Sequence, residues 1–509
     1  MDQGNAPDNS PIDAGIHAAA REPYPPRYWW LKRVAIASGV FTAAFITLFA
    51  AWHYYADQRL QAAIDKIKAA GEPLFPADFN SPPIPDEDNA VVLLERAGEM
   101  ILANEELLSL HLDGCFAFVG SDDEFISSCG ILVETYGEAL DLVRQARNRP
   151  LARWPTKAQS PLLDFEICNL AAQRSIAKLL SIRIRWLVLH SQHAEAARSI
   201  GDILTVAAVV DHHLSLLGHL VALSIEEFGL RAIEDNGGRL ADRGTLPREH
   251  LETSLQDEIR HLIRQLLSED RLKARFFYAL QFERAFQFDL LQEAIRMKVS
   301  LNGVAIDESS SWKYRWPLTH LLTEPPLQFV AADFIDYSIQ CLPASQASTQ
   351  PEHDTILAAV RKPTRLARPQ DSAIWIQGSM ASMVAPSFHR ARLLHYRLLS
   401  RRQLAATALA IRLHQLDHGH RPVTLDELVP DYLPAVPVDP MSSNGVIQYL
   451  PDAEHPQLYS IGPDGIDDGG EYVYRSEGRI NYDVADIPFF LDGQPPPPGE
   501  ASEAAPVKP

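Results

Sequence analysis

One apolar segment near the N-terminus constrains this chain more than any other feature. Val34–Trp52 carries no charged side chain, and about 19 residues are enough to cross a hydrocarbon core of roughly 30 Å as a helix. Tryptophan and tyrosine flank the segment, at positions 28–30 before it and 52–55 after it. Such aromatic belts mark the two membrane interfaces. The sequence therefore predicts a transmembrane helix over residues 34–55.

The charges around this segment predict its orientation. Arg27, Lys32 and Arg33 precede it, whereas the nearest cation after it, Arg59, is offset by Asp57. Because flanking cations stay in the cytoplasm, we expect a cytoplasmic N-terminus and an extracytoplasmic body. A cleavable signal peptide is the alternative, but its apolar core is usually shorter and a small-residue cleavage site should follow it. We therefore expect an uncleaved signal anchor.

Composition divides the rest of the chain into segments of different character. Residues 1–33 and 491–509 are rich in proline and polar residues, and we expect a disordered cytoplasmic tail and a disordered C-terminal tail. Residues 56–88 combine a juxtamembrane helix with a proline-rich linker. Between residues 89 and 380, apolar residues recur at three- and four-residue spacing with short breaks. That pattern predicts an extracytoplasmic body of antiparallel helical hairpins.

Charge and cysteine content exclude several classes of protein. Lys plus Arg number 46 and Asp plus Glu 66, for a net charge of −20. Nucleic acid binding needs clustered cations and is not expected. The four cysteines form no C-x-x-C pair, which argues against a zinc ribbon or a thioredoxin-type motif. Cys115 and Cys129 bracket a short segment, and either a disulfide or two buried free thiols fits them.

Residues 385–490 are predicted to begin with a long helix. Apolar residues line one face of a helical pattern that starts near Ser387. Gly419 ends the pattern, and Pro422 prevents its continuation. This helix is the first element of a small C-terminal module.

The remainder of the module is predicted to be short helix and short strands. Thr424 and Glu427 have the spacing of a capping box for a second, short helix. Val446–Leu450 and Gln457–Ile461 are two strand candidates joined by a polar turn. The predicted fold is therefore mainly α, with an N-terminal transmembrane helix, a helical hairpin body and a small α+β module at the C-terminus.

This module resembles the C-terminal half of the major pseudopilin of bacterial type II secretion systems. The likeness rests on V-P-V-D-P, on the Y-S-I-G-P-D-G-I-D-D-G-G run of Tyr459–Gly470, and on the later D-I pair. In that family the acidic loop binds calcium. The resemblance therefore implies a pseudopilin-like fold for the module and a calcium ion held by Asp464, Asp467, Asp468 and Asp486.

The chain as a whole is also similar to uncharacterised bacterial single-span membrane proteins. Those proteins pair a G-E-P…P-D-E-D-N-A opening, here Gly71–Ala90, with the same ending. Both likenesses place the chain in the bacterial inner membrane. A pseudopilin, however, has its globular domain directly after its membrane helix and a peptidase site before it. This chain has neither arrangement, so we do not expect it to assemble into a fibre.

Two candidate metal sites follow from residue types alone. Calcium takes six to eight oxygen ligands on a flexible turn, and P-D-G-I-D-D-G-G supplies three carboxylates and freed carbonyls. The same residues also form ordinary turns, so a plain turn remains the alternative. His414 and His418 have the i, i+4 spacing that can chelate zinc. No third ligand is evident, since His420 falls past the helix end, and we therefore expect surface histidines there rather than a metal site.

The leading hypothesis is a non-enzymatic, membrane-anchored scaffold or binding protein of the bacterial envelope, linked to a secretion-type assembly. The chain lacks the G-x-S-x-G, P-loop and dinucleotide-binding motifs. Its partners would be the lipid bilayer and envelope proteins, with the helical body offering grooves for helices or peptides. One alternative is an extracytoplasmic hydrolase with a site between the helical body and the C-terminal module. A ligand sensor that signals through the span is a third.

Overall fold

The computed structural model shows a mainly helical protein with one small sheet, as the sequence predicts. The chain divides into two units, residues 1–58 and 59–509. The structure describes residues 28–103, 105–116, 122–165, 169–239, 251–296, 317–360, 376–475 and 480–493.

Helix α1, Trp29–Ala69, contains the predicted span. Its most apolar 18-residue window has a mean hydropathy of 2.1, so the helix is long and apolar enough to cross a membrane.

Of the predicted disordered tail, residues 1–27 lie outside the described part of the chain. The prediction is wrong for residues 29–33, which are helical. The juxtamembrane helix is the continuation of α1, and Gly71 follows its end with a φ of +69°.

Helices also make up most of residues 89–380. Helix α6 packs on α7, and α7 packs on α8, so consecutive helices form the predicted hairpins. The bounds are α2 Ala90–Leu102, α3 Glu105–Phe116, α4 Asp122–Thr135, α5 Gly137–Ala146, α6 Leu170–Leu189, α7 His193–Val210, α8 Leu216–Asn236, α9 Leu251–Leu267, α10 Asp270–Ile295, α11 Pro317–Cys341, α12 Gln350–Ala359 and α13 Ile376–His418.

The start of α2 shows how the linker is fixed to the body. Asn89 caps the helix by accepting a hydrogen bond from Val91 N at 3.2 Å. The same side chain accepts from Arg153 N and donates to Arg153 O, each at 2.9 Å. The Asn89 side chain therefore satisfies a free backbone N–H group at the start of α2. It also holds the segment before α6 against the linker.

Helix α13 joins the C-terminal module to the helical body. It packs on α8 and α9, and also contacts β2 and β3. Leu399, Leu409 and Leu413 of α13 are buried in the same hydrophobic cluster as Leu204 of α7 and Phe489 of the sheet. The body and the module therefore share one core, to which the C-terminal half of α13 contributes.

The sheet has three antiparallel strands in the order β1-β2-β3: β1 Gln448–Leu450, β2 Gln457–Ser460 and β3 Ile487–Phe490. The first two are the predicted strands. The third was not predicted, because its I-P-F-F sequence contains a proline. Pro488 is tolerated because β3 is an edge strand, where a missing N–H breaks no central ladder. Residue 459 pairs with 448 on one side and with 488 on the other.

The predicted C-terminal tail, residues 491–509, begins inside the folded unit. Leu491 is buried, and its N–H donates to Pro456 O at 2.9 Å. The prediction of disorder is therefore wrong at residue 491, and residues 494–509 lie outside the described part. The prediction of disorder failed at Leu491 because β3, which was not predicted, ends at the residue before it and extends the folded unit that far.

Cys115 and Cys129 both carry buried free thiols. Of the two predicted states of this pair, a disulfide or two buried thiols, the structure contains the two thiols. Burial and the neighbouring Cys115 raise the pKa of the Cys129 thiol to about 12, so the thiol stays protonated and unreactive at neutral pH. Cys168 lies outside the described residues.

Candidate functional site

The acidic loop predicted to bind calcium directly follows β2. Its backbone turns through glycines with positive φ, among them Gly462 at +74° and Gly470 at +85°. A Cβ at Gly462 would lie 2.3 Å from Ala485 O, so only glycine fits where the loop passes the start of β3. The loop is therefore held against the segment that contains Asp486.

The structure brings Asp486 beneath the exposed part of this loop. Asp464 accepts a hydrogen bond from Ile466 N at 3.1 Å. Asp467 accepts from Tyr459 Oη at 3.1 Å and from Gly469 N at 3.0 Å. Asp464, Asp467 and Asp468 are exposed, whereas Asp486 is completely buried.

Asp486 is the buried carboxylate of this loop, and the charges of the neighbouring aspartates act on it. Its Oδ2 accepts a hydrogen bond from Gly470 N at 2.8 Å, but its buried Oδ1 has no hydrogen-bond partner among the described residues. Burial, together with the charges of Asp467 and Asp468, raises the pKa of Asp486 to about 6. A cation at Oδ1 would satisfy the orphaned oxygen and offset the repulsion. Carboxylates on a glycine-rich turn are the ligand type that calcium prefers.

No group of three or more His, Cys, Asp or Glu side chains within the described ranges is placed so that it could hold a metal ion. The three exposed aspartates would have to turn toward Asp486 to complete a calcium site. Their position on a glycine-rich turn makes such rearrangement inexpensive.

Asp439 is a buried carboxylate that sequence reasoning missed. Its Oδ1 accepts hydrogen bonds from Ser460 Oγ at 2.7 Å and Met441 N at 2.9 Å, and its Oδ2 accepts from Ile461 N at 3.0 Å. All these partners lie within the module, so Asp439 fixes the proline-rich segment to the end of β2. The signal was the aspartate of V-P-V-D-P, which the likeness to pseudopilins includes without giving it a role.

A second candidate site is an open cleft of about 460 Å³ between α3, α6, α8 and α13. Its apolar surface includes Phe116 of α3 and Phe228 of α8, whose rings meet edge to face at 5.1 Å. Leucines of α8 and α13 complete that surface: Leu220, Leu223, Leu394 and Leu398. We call this opening the cationic cleft, because Arg174, Lys178, Arg231 and Arg397 line it.

Two carboxylates balance part of the positive charge in the cationic cleft. Lys178 pairs with Asp113, and Arg231 Nε lies 3.4 Å from Glu227 Oε1. Arg397 pairs with Asp483 at 3.4 Å, outside the cleft lining. Among the described residues that line the cleft, four are cations and two, Asp113 and Glu227, are carboxylates, so the lining has a positive excess.

Arg174 is the cation of the cleft with the most unused hydrogen-bonding capacity. Its side chain is exposed on α6, and no carboxylate whose side chain the structure describes pairs with it. Glu227, in contrast, is already engaged: burial opposes its ionisation, but Arg401, Arg231 and Arg397 together hold its pKa below the usual value. A ligand anion in the cleft would therefore meet Arg174 with little competition from a carboxylate.

A sealed polar network lies beside the cleft, on the other face of α8. His219 Nδ1 and Asp211 Oδ1 are 2.6 Å apart, and Arg271 bonds both Asp211 and Glu226, at 2.7 and 2.9 Å. His219 is only 1% exposed, and its ring stacks on Phe276. The network therefore holds α8 to α10 and gives a substrate no route to the imidazole.

The contact between helical body and module is closely packed where Phe489 of β3 meets α8 and α13. The cavity there measures about 10 Å³ and is lined by Ile233, Arg412 and Phe489, among others. A volume of this size holds about one water molecule.

The structure also corrects the prediction of surface histidines at the end of α13. His414 is 4% exposed, whereas His418 and His420 are exposed. The ring of His420, which follows the helix, returns to within 5.6 Å of the His414 ring. A third imidazole therefore joins the predicted pair.

Comparison with family models, curated proteins and solved structures finds no match to this chain. The resemblance to pseudopilins thus stays a prediction from sequence motifs.

Proposed function

We propose that this chain is a membrane-anchored binding protein whose cationic cleft takes an amphipathic anion. The observation that carries the proposal is the cleft itself, with a positive excess beside a surface of phenylalanine and leucine. Its volume of about 460 Å³ lies in the range of small-molecule sites. The ligand class is an apolar body that ends in a carboxylate or phosphate.

The anchor in this proposal is α1, with the N-terminus in the cytoplasm and the helical body outside. The cation bias before residue 34 supports this orientation. Protease added to sealed spheroplasts should then digest the body, while a tag at the N-terminus stays protected. Protection of the body with digestion of the tag would reverse the orientation, and release of the body without protease would indicate a cleaved signal peptide.

A binding assay with an anionic fluorescent amphiphile tests the cleft. We expect full-length protein in lipid nanodiscs to bind 11-(dansylamino)undecanoate, with fluorescence above that of empty nanodiscs. Arg174→Gln removes a charge-assisted hydrogen bond worth about 1.5–3 kcal/mol and should weaken binding about tenfold or more. Arg96→Gln, an exposed arginine on α2 outside the cleft, is the matched control.

Two further comparisons separate the parts of the proposed ligand. The uncharged amide of the same probe should bind about as weakly to the native protein as the acid binds to Arg174→Gln. Phe228→Ala should weaken both probes, since it removes apolar surface rather than charge. Equal binding by the native protein and all three variants would overturn the proposal.

We propose in addition that the acidic loop of the module holds a structural calcium ion, as in pseudopilins. Asp486, Asp464, Asp467 and Asp468 are the ligands, and the unpartnered Oδ1 of Asp486 supports their assignment. Calcium should raise the melting temperature of the native protein and leave Asp486→Asn unchanged. In metal-free buffer at neutral pH, Asp486→Asn should itself be more stable, because it removes a buried charge.

The calcium proposal has its own control and its own contrary result. Asp452→Asn changes an exposed aspartate in the turn between β1 and β2, and it should keep the calcium response. If calcium shifts the melting of the native protein and of Asp486→Asn equally, the loop is an ordinary turn. The cleft proposal is independent of that outcome, since none of the four aspartates lines the cleft.

The alternative of a hydrolase between helical body and module is not favoured by the geometry. The cavity of about 10 Å³ at Phe489 is too small for a substrate. The buried His219–Asp211 pair is the arrangement closest to a catalytic dyad that we find in the described residues, and it is sealed by Phe276. A binding role therefore fits the accessible surface better.

A further inference from the structure

Three histidine rings gather at the C-terminal end of α13. The centroids of His414 and His418 are 4.2 Å apart, and His420 lies 5.6 Å from His414 and 6.2 Å from His418. The first two are one helical turn apart. Gly419, with a φ of +84°, then reverses the chain, which brings His420 back over the last turn. The cluster is thus a product of the helix end.

The backbone fixes the same tautomer in all three neutral rings. His414 Nδ1 lies 3.2 Å from His420 O, His418 Nδ1 lies 3.1 Å from His414 O, and His420 Nδ1 lies 2.9 Å from Arg421 O. A carbonyl oxygen only accepts, so each Nδ1 donates its proton. Each Nε2 therefore keeps its lone pair. A histidine that ligates a metal through one nitrogen commonly donates its other N–H to a carbonyl in this way.

A carboxylate stands beside this cluster in a fixed position. Glu427 Oε1 accepts hydrogen bonds from Val423 N at 3.0 Å and Thr424 N at 3.1 Å, as part of the predicted capping box. Its other oxygen, Oε2, is 3.9 Å from His414 Nε2. The capping box therefore holds Oε2 toward the nitrogen that bears the lone pair.

The histidine cluster is covered by protein on one side and open to solvent on the other. The ring of Tyr432 packs against His414 at 5.7 Å, and its hydroxyl donates to Asp417 Oδ2 at 2.7 Å. His418 and His420 are exposed. An ion can therefore enter from solvent on the side of these two rings, while His414 and Glu427 provide a fixed base.

We propose that His414, His418, His420 and Glu427 form a binding site for a divalent transition metal ion of the zinc class. Three imidazole nitrogens and one carboxylate oxygen make up a four-ligand set typical of zinc, and imidazole selects such metals over calcium and magnesium. In the arrangement that the structure shows, no group of three or more His, Cys, Asp or Glu side chains among the described residues could hold a metal ion. Binding therefore needs rotation of the exposed rings of His418 and His420 toward His414. This site is separate from the cleft and from the calcium loop.

Zinc titration by calorimetry on the full-length protein in detergent tests this site. We expect one zinc ion per chain with a dissociation constant of about 1 μM or tighter. His418→Ala and His420→Ala should each weaken binding about tenfold or more, and Glu427→Gln, which keeps an oxygen for the helix cap, should weaken it less. His455→Ala removes an exposed histidine elsewhere in the module and should have no effect.

Cobalt(II) provides a second readout that does not depend on heat. Its visible absorption should show tetrahedral coordination in the native protein and in His455→Ala, and lose that character in His418→Ala. Circular dichroism should show equal helix content in all variants, because the replaced rings are exposed. Lack of zinc binding at about 100 μM, or equal binding by the native protein and both alanine variants, would overturn the proposal.

Discussion

Arg401 is a completely buried cation where α13 meets α8 and β3. Its guanidinium donates to Glu234 Oε2 at 3.0 Å and to Pro488 O at 3.2 Å, and lies 3.2 Å from Glu227 Oε1. The rings of Tyr482 and Phe489 flank it at 5.3 and 5.1 Å. One side chain thus connects a helix of the body, the helix of the module and the third strand.

Replacement of this arginine should destabilise the fold strongly. Arg401→Met leaves the carboxylate of Glu234 buried without its cation, and removal of one partner of a buried pair costs about 3–5 kcal/mol. Denaturant unfolding of the full-length protein in detergent measures the loss. Addition of Glu234→Gln to Arg401→Met should recover part of it, and Arg390→Met, at an exposed arginine of the same helix, should change little. A loss below about 1 kcal/mol would contradict the assigned role.

Single residues were predictable from the sequence when their partners were local. An asparagine directly before an apolar helical run indicates a helix cap, and Asn89 caps α2 through Val91, two residues later. Arg401 was not singled out, because Glu234 lies 167 residues and Pro488 87 residues away. A sequence pattern predicts hydrogen bonds between residues close together in the chain. It does not predict pairs that only the tertiary fold brings together.

At the scale of elements, the end of α13 depends on one glycine. Gly419 has a φ of +84°, and Gly419 N donates to Gln415 O at 2.9 Å. Gly419→Ala should lower the free energy of unfolding by about 1 kcal/mol, because the left-handed conformation is unfavourable for a residue with a Cβ. The melting temperature of the full-length protein is the measurement.

A helical glycine provides the comparison for that substitution. Gly137 opens α5, and a Cβ added to it would meet no other atom within 4 Å, so Gly137→Ala should be neutral or slightly stabilising. If Gly419→Ala is as stable as Gly137→Ala, the turn after α13 tolerates a side chain and does not fix the position of His420.

The strands show which elements the sequence pattern predicts and which element it misses. The predicted strands, Val446–Leu450 and Gln457–Ile461, contain the observed strands Gln448–Leu450 and Gln457–Ser460. Ile487–Phe490 was missed, although every residue in it is buried. A proline inside a run lowers its strand signal, and only the pairing with β2 reveals that Pro488 lies on an edge.

For the molecule as a whole, buried neutral histidines should set the acid limit of stability. Burial lowers the pKa of His213 to about 4, and burial together with Arg392 does the same for His353. Burial and the neighbouring His219 also lower the pKa of His395. The unfolded chain binds protons at these sites below about pH 6.5, whereas the folded chain does not. The contribution of these histidines to stability should therefore be complete above pH 6.5 and fall as the pH drops toward 4.

Melting curves between pH 4 and 7.5 measure this loss, which reaches at most about 3 kcal/mol for a group such as His213 or His353. His395→Phe should make the decline shallower, since the ring that stacks on Phe276 is kept while the titrating nitrogens are removed. His111→Gln, on the exposed side of α3, should leave the profile unchanged. A pH profile that His395→Phe leaves unchanged would contradict the assignment.

The two candidate sites differ in how much the sequence revealed. The acidic loop was predicted, because its aspartates lie close together in the chain and follow a recognisable motif. Asp486 was added through the resemblance, and the structure places it beneath the loop. The cationic cleft was not predicted, because α3, α6, α8 and α13 contribute to it from positions between 113 and 398. Its four cations have no common motif.

The pairing of β3 with the body has a consequence for the order in which the protein is made. Phe490 N donates to Glu234 Oε1 at 3.0 Å, although 256 residues separate the two. During synthesis α8 therefore exists long before the strand that covers it. Until that strand arrives, Arg401 and Glu234 lack the cover of Phe489 and remain open to water. The nascent chain must stay soluble with its core unfinished, and a ribosome that stops before residue 487 releases a product that quality-control proteases can recognise.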